Sequence, residues 1–350
     1  MPRRSSKPVT PPARTVRMRD VAERAGVGMM TVSRVLNGTA HVREETRERV
    51  YRALEELQYR PNMMARALRG FRTHSIGVIV PYLYDPFFAS CAQAVSEVAR
   101  KHSYSVLLAT SDERAETEIE ELRQLQRRQV EGIVIIPACY GRSRLNTPEF
   151  DSLPMVALDR PIARPGLRSP VDRVLVENQN AAAVATEHLI QHGHKRICFV
   201  GLSSKIYTMQ ARLNGYQKAM RTAGLEPECF FEGGEETATL DFVRSVKSRP
   251  NAPTAIFASN GLSSRHALHA LATLGIQIPD ELAFIGFDDF ELADILRPAL
   301  TVVRQPTQQL GQQAADLLFA RLDGAADAPA QTRLLPVELV IRRSCGCHPS

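Results

Sequence analysis

Apolar positions follow two different rhythms along this 350-residue chain. From residue 18 to 58 they recur at helical spacing. In the stretch MRDVAERAGVGMMTVSRVLNG (18–38), Met18, Val21, Ala22 and Ala25 share one helical face, the run breaks at Gly26, and Val32, Val35 and Leu36 form a second face. The other side of that second helix carries Met30, Ser33, Arg34 and Asn37. A third helix is predicted over roughly 44–58, with Val50, Ala53, Leu54 and Leu57 on one side. Two short helices joined by a glycine-containing turn form a helix-turn-helix, an arrangement whose second helix can enter the DNA major groove. Three such helices make a unit only marginally stable alone.

From His74 the rhythm changes to compact apolar runs, the signal of buried strands. They are SIGVIVP (75–81), YSVLLA (104–109), GIVIIP (132–137), PMVALD (154–159), RICFVG (196–201), TAIFASN (254–260) and ELAFIGFD (281–288). Amphipathic stretches at roughly 87–102, 115–130, 179–192, 208–223, 261–274 and 307–322 separate them. Strands alternating with helices predict doubly wound parallel sheets. The number of strands predicts two consecutive α/β lobes, with the chain crossing between them near 160–175 and again near 289–306, and a final strand near 333–342. Between head and body, Tyr59-Arg60-Pro61 ends the helical unit. The segment NMMARALRG (62–70) then has good helix formers but is too short to hold a helix without a partner surface. Its lack of interior Gly or Ser argues against a plain linker. The expected organisation is a disordered basic tail (1–15), a helix-turn-helix domain (16–60), a hinge helix and linker (61–73), a two-lobed body (74–342) and a tail (343–350).

Charge sharpens this division. Residues 1–72 hold 16 Lys/Arg against 7 Asp/Glu, whereas residues 73–350 hold 28 against 31. A basic head on a mildly acidic body points to a polyanionic partner for the head. No apolar run is long enough for a membrane span, and the Pro- and Arg-rich start lacks the apolar segment of a secretory signal, so a cytoplasmic location is expected. The six cysteines (91, 139, 198, 229, 345, 347) are then expected to be reduced thiols.

The stretch 18–38, followed by EETRERVYRALEELQYRPNMMARAL, closely resembles the DNA-binding head of the LacI-type (lac repressor/GalR) family, and the resemblance continues in the family's order through IGVIVPYLYDPFFA, HLIQHGHKRICFVG, RLNGY, ELAFIGFDD and RPALTVVRQP. It implies a body with the two-lobed fold of periplasmic binding proteins, and a sequence-specific repressor whose operator affinity is set by a small carbohydrate-type effector. In the family, the positions matching Met29, Met30 and Arg34 face base edges. Arg34 can make a bidentate contact to guanine, while the methionines offer only apolar contact, for example to thymine methyls. Arg17, Thr31, Ser33, Asn37 and His41 are expected at phosphates. Gly28 and Arg43 stand where the family commonly has Ser caps, and Val27 and Val32 can still staple the entry to the second helix. The hinge helix of the family folds on DNA and pairs with its twin. Here Asn62 would cap it, Ala65 would allow close approach, and Leu68 would wedge into the minor groove.

Ligands of such lobes bind outside the carboxyl ends of the strands. Phe87, Phe88, Arg160, Thr208, Arg212, Asn260 and Asp288 fall there, with Asp85 and Asp159 beside them. The resemblance gives Arg212 and Asp288 the grip on the effector, which suits the vicinal hydroxyls of a sugar or sugar acid, and Arg160 with Arg212 would favour an anion. Capping for Asp288 and Asp289, and core packing for Phe87 and Phe88, are the structural alternatives. Gly261 departs from the Asp common after the matching Asn. A homodimer on a pseudo-palindromic operator is expected, without a coiled-coil tetramer, since no leucine heptads follow residue 340. No cofactor, catalytic residue or metal ligand is expected. There is neither a Walker loop nor a GxGxxG after the first strand, His192 and His194 read as structural, and Cys345, Cys347 and His348 read as a frayed tail too poor in ligands for a metal. The competing functions are an extracytoplasmic sugar-binding transport protein and a sugar-modifying enzyme.

Overall fold

The computed structural model describes residues 16–37, 42–59, 73–138, 148–162, 171–203, 205–324 and 328–347. The tail 1–15, the hinge segment with Asn62, Ala65 and Leu68, and His41 and His348 lie outside the described residues. The chain forms two compact units, Met1–Thr73 and His74–Ser350.

In the first unit, helices α1 (Met18–Ala25), α2 (Met29–Asn37) and α3 (Glu44–Glu56) enclose a small core of Val21, Ala22, Ala25, Val32, Val35, Val50 and Ala53. Gly26 ends α1 in the left-handed conformation at φ 64°, and the backbone of Gly28 accepts from the N–H groups of Thr31 and Val32 to start α2. Val27 packs on the core that holds Val32, as a staple requires. Arg43 starts α3 through its carbonyl alone, with no side-chain cap.

The second unit has two six-stranded sheets. The first runs in the order β11-β5-β4-β3-β1-β2, built from β1 (Ser75–Val80), β2 (Ser105–Thr110), β3 (Ile133–Ile135), β4 (Met155–Leu158), β5 (Asp172–Val176) and β11 (Thr332–Leu335). The second runs β12-β10-β9-β8-β6-β7, from β6 (Ile197–Val200), β7 (Glu228–Phe230), β8 (Ala255–Ala258), β9 (Ala283–Phe287), β10 (Thr301–Arg304) and β12 (Glu338–Val340). All pairings are parallel except β10 with β12. Central strands such as ICFV and AIFA are buried throughout because helices cover both faces of each sheet. The helices are α4 (Pro86–Lys101), α5 (Ala115–Arg127), α6 (Asn178–Gln191), α7 (Tyr207–Thr222), α8 (Glu236–Ser248), α9 (Gly261–Thr273) and α10 (Thr307–Leu322).

The chain passes between the sheets after β5 at Glu177, after β10 at Gln305-Pro306, and after β11 at Pro336-Val337. The first crossing therefore follows residue 176, because β5 completes the first lobe before the chain leaves it. The single final strand expected at 333–342 is two strands, one in each sheet. β5, β7, β10 and α8 were not among the expected elements. The expected tail is also shorter: Ser344 receives a hydrogen bond from Thr301 N–H and donates to the Phe284 carbonyl, and Cys345 is fully buried.

Within RLNGY, each residue type has a structural task. Tyr216 is fully buried, donates its hydroxyl to the Ile197 carbonyl and accepts from Glu228 N–H, tying β6 to β7. Gly215 lets α7 press onto α6, since a Cβ there would stand 2.0 Å from the Gln179 carbonyl oxygen. Alanine normally favours a helix over glycine by about 1 kcal/mol. Here the backbone clash dominates, and Gly215→Ala is expected to destabilise the body by about 1–3 kcal/mol, the usual penalty of overpacking, measured as a lower urea midpoint with an unchanged slope.

Candidate functional site

Two sites stand on two separate units. In the head, α2 buries Val32 and Val35 and turns its other face outward. Met29 is 55% and Met30 69% exposed, Arg34 is exposed, and Thr31 and Ser33 are half-buried beside them. Solvent contact for two large apolar side chains on so small a unit fits a surface that is covered when it works. Arg17 is exposed at the start of α1, where its N–H donates to Asp20 Oδ2 at 2.7 Å. Arg17 is the N-cap of that helix, where free N–H groups already favour an anion.

In the body, a cavity of about 260 Å³ opens between the lobes at the carboxyl ends of the strands. All seven residues expected at an effector line it: Phe87, Phe88, Arg160, Thr208, Arg212, Asn260 and Asp288. Several do so from helix starts. Asp85 caps α4 through a 3.0 Å hydrogen bond from Phe87 N–H, with Pro86 in the first turn. Asn260 caps α9 by accepting from Ser263 N–H. Phe87 and Phe88 belong to the core of the first lobe and meet edge to face at 5.3 Å, so packing and cleft lining coincide.

Arg212 is buried and held before any ligand arrives. Its Nε donates to Asn178 Oδ1 and its Nη1 to the Ser259 carbonyl, both at 2.7 Å, and the guanidinium lies 3.5 Å over the Phe287 ring. Asp288 sits at φ 74°, strained for any residue but glycine. Its Oδ1 accepts from Gln305 Nε2 at 2.6 Å and its Oδ2 from Gly261 N–H at 3.1 Å. Asp288 is thus both a loop anchor and a cleft residue. Asp289 serves structure: it pairs with Arg304 and Arg342, and although burial pushes its pKa up, hydrogen bonds from Arg342 and Arg304 outweigh this and hold the carboxyl below its usual range.

Arg160 corrects an expectation. Its guanidinium makes a bidentate pair with Glu113, both bonds 2.8 Å, and donates to the Pro137 carbonyl. It is spoken for, and does not add a free positive charge for an anionic ligand. Four carboxylates, Asp85, Glu113, Asp159 and Asp288, line the cavity against the two guanidiniums of Arg160 and Arg212. Burial pushes the Asp159 carboxyl up, and burial together with the charge of Asp288 raises Asp85 to about 6. Two buried polar atoms on the lining, Asp159 Oδ1 and Gln305 Oε1, have no hydrogen-bond partner among the described residues, while Arg160 Nε has only the ion pair with Asp159 Oδ2 at 3.4 Å. Unpaired buried groups cost about 1–3 kcal/mol each, which a polar ligand can relieve.

Glu113, Asn178, Gln305, Tyr82 and Tyr84 were not singled out in the sequence. Asn178 and Gln305 carried a usable signal, since each follows the carboxyl end of a strand, but both strands were unrecognised. Glu113 lies between a strand and a helix, and nothing local marks its pairing with Arg160.

Comparison with known proteins follows the same two-unit division. The description "Bacterial regulatory proteins, lacI family" matches residues 17–62, and "Periplasmic binding protein-like domain" matches residues 186–345. The chain is 32% identical over 331 residues to the HTH-type transcriptional repressor PurR of Histophilus somni, covering 93% of this chain and 98% of that protein. It is also 32% identical over 339 residues to the HTH-type transcriptional regulator DegA of Bacillus subtilis, covering 93% and 96%. Among solved structures, the lac repressor dimer bound to operator and the anti-inducer ONPF aligns over 95% of this chain and 99% of its own, with a TM-score of 0.76 at 25% identity. A transcriptional regulator CelR–cellobiose complex aligns over 94% and 99%, with a TM-score of 0.67 at 29% identity.

The raised pKa of Asp85 sets a sign for pH dependence. The folded chain holds this proton up to about pH 6, while the unfolded chain releases it near the ordinary aspartate value of 3.8. Between these values the folded state binds more protons, so the contribution of Asp85 to stability falls as pH rises. Asp85→Asn keeps a capping side chain and is expected to remove this component, so that the variant-minus-parent difference in urea midpoint grows in the variant's favour from pH 4 to pH 6.

Proposed function

The chain belongs to the lacI family of bacterial regulatory proteins, and from that membership we propose which of its residues read DNA, which hold the effector, and what kind of effector it is. The protein is a DNA-binding transcription regulator controlled by a small molecule, and it is not an enzyme. We assign base reading to Met29, Met30 and Arg34. Phosphate contacts are assigned to Arg17, Thr31, Ser33, Asn37 and His41, and hinge contacts to Asn62, Ala65 and Leu68. Arg34 supplies the hydrogen-bonding discrimination, and the methionines supply apolar contact. Two copies bind a pseudo-palindromic operator, each head taking one half-site, as a repressor in the cytoplasm. Leu292, Ile295 and Leu296, exposed within one short stretch of the second lobe, support a subunit contact. No helix among the described residues is long and apolar enough to cross a membrane.

The effector is a neutral polyhydroxyl compound, a sugar, bound between the lobes. The observation that carries this assignment is the pairing of a pre-positioned Arg212 with Asp288 in a cavity whose carboxylates outnumber its guanidiniums. Sugar hydroxyls can donate to Asp288, Asp159 and Asp85 and accept from Arg212, while an added carboxylate would meet net negative charge. Phe87, Phe88 and Tyr84 offer apolar faces for the ring. Closure over the ligand changes the lobe angle and thereby the hinges, by population shift.

A gel shift on genomic fragments with and without neutral sugars tests the whole reading. No salt-sensitive preference for any duplex would refute it. Arg34→Ala is expected to abolish operator preference with sugar affinity unchanged, while Asp288→Ala weakens sugar response and leaves operator binding intact. Equal damage to both activities by either change, in a folded protein, would break the two-site assignment. In a thermal-shift screen, neutral sugars are expected to raise the melting temperature more than the matching sugar acids.

A further inference from the structure

Away from both sites, four metal-ligating side chains converge where the C-terminal segment meets the end of α6. His188 lies in the last turn of that helix and His192 is its C-cap, four residues on, the spacing by which two imidazoles can share an ion. Cys345 and Cys347 come from a segment 157 residues further on, and Gly346 at φ 85° makes the turn that brings the second sulfur back beside the first. His188 Nε2 stands 3.3 Å from Cys345 Sγ and 3.1 Å from Cys347 Sγ, and the two sulfurs are 3.0 Å apart without a bond between them. Donor atoms of His188, His192 and Cys347 all fall within 4.8 Å of one another. A tetrahedral centre with metal–ligand distances of about 2.0–2.3 Å spaces its donors roughly 3.3–3.8 Å apart; Cys345 Sγ meets His188 and Cys347 but stands outside the group that includes His192, so gathering all four donors requires the exposed His192 ring to swing inward.

The surroundings orient these groups as a ligand set needs. His192 Nδ1 is 2.8 Å from the His188 carbonyl, which fixes the ring proton on Nδ1 and leaves Nε2 as a free donor. Thr301 Oγ1 accepts from Arg342 N–H at 2.9 Å, so its own proton is directed to Cys345 Sγ at 3.1 Å. Cys345, Cys347 and His188 are buried, while His192 is exposed and gives an ion a way in from solvent. Ordinary packing would explain one buried cysteine. It does not explain two sulfurs and an imidazole nitrogen turned toward one point.

We infer that His188, His192, Cys345 and Cys347 form a binding site for a zinc-class divalent cation. Two thiolates and two imidazoles select such an ion over magnesium or calcium, which prefer oxygen. A bound ion would lock the end of the chain to α6. That helix starts at Asn178, which holds Arg212 in the cleft, and Ser344 holds the strands β9 and β10.

The full-length protein, reduced and stripped of metal with a chelator, is titrated with Co²⁺ and then Zn²⁺. One equivalent of Co²⁺ per chain is expected to give sulfur-to-cobalt charge-transfer absorption in the near ultraviolet and tetrahedral bands in the visible, both lost when Zn²⁺ displaces it. One equivalent of Zn²⁺ is expected to raise the melting temperature. Cys347→Ser is expected to abolish the charge-transfer absorption. His192→Ala removes an exposed side chain and so keeps the fold, and is expected to weaken Zn²⁺ at least as much as the roughly 10–100-fold loss seen for outer-shell partners. Absorption that is absent, or unchanged in His192→Ala, would overturn the site. So would a chain isolated lighter by two hydrogens, as a Cys345–Cys347 disulfide, that takes up no metal after reduction.

Discussion

Two guanidinium groups, Arg160 and Arg212, are taken out of water in one cleft, and much of the body is arranged around that fact. Withdrawing an ion from water costs several kcal/mol even after relaxation, unless hydrogen bonds and opposite charge replace the solvent. The two arginines are satisfied in different ways. Arg160 has a full partner in Glu113 and a carbonyl besides. Arg212 has an amide oxygen, a carbonyl and an aromatic face, but no carboxylate in direct contact among the described residues. Burial lowers its pKa, against the opposing pull of Asp288 and Asp159. Arg160 therefore stabilises its own lobe, whereas Arg212 keeps hydrogen-bonding capacity that a ligand can complete.

The same asymmetry operates across the cleft. Asp85 belongs to the first lobe and Asp288 to the second, and each raises the energy of the other's charge. With nothing between them, two carboxylates resist closure. A polyhydroxyl effector of the kind proposed can donate to both and turn mutual repulsion into shared attraction, which would give it the differential affinity for a closed arrangement that population shift requires. Gln305 connects this chemistry to the connecting strands, since it lies on the second crossing and donates to Asp288. A side chain on a crossing between the lobes that is bonded to a cleft-lining carboxylate is placed to feel closure directly.

How much of this was legible beforehand depended on burial. Runs such as IGVIV and ICFV announced themselves because both faces of a central strand need apolar side chains. Two of the three unrecognised strands escape this rule, while the third, β10, is buried but only four residues long. β7 is a half-buried three-residue edge, and β5 begins with Asp172, whose carboxylate is tied to Arg321 across 149 residues. A charge at a strand start reads as loop until its distant partner is known. Arg212 and Asp288 were identifiable from their motifs. Glu113, Asn178 and the orphaned Gln305 oxygen were not, because their roles arise only when separate elements meet. The ending Cys345-Gly346-Cys347 read as a tail for the same reason: its burial depends on Ser344 pairing with Phe284 and Thr301.

In the head, a sparse core limits how specificity can be built. Among the described residues only seven small or medium side chains are fully buried in that core, with larger ones such as Leu36, Leu54, Leu57 and Tyr59 half-buried against it, so the unit has little stability to spare. It nevertheless leaves Met29 and Met30 in solvent on α2, the helix proposed to read bases. Methionine adapts its shape to an apolar surface but reads no hydrogen-bond code. Arg34 is then the one exposed side chain among the three assigned base readers that can distinguish a base pair by bidentate contact. A single such contact supplies about 1–3 kcal/mol of discrimination, short of the roughly 4–10 kcal/mol that separates specific from non-specific binding. The difference has to come from doubling the head and from the geometry that spaces its two copies. On the proposed assignment of base reading to α2, specificity is therefore a property of the paired arrangement as much as of one helix, which gives an effector in the body a means to control it.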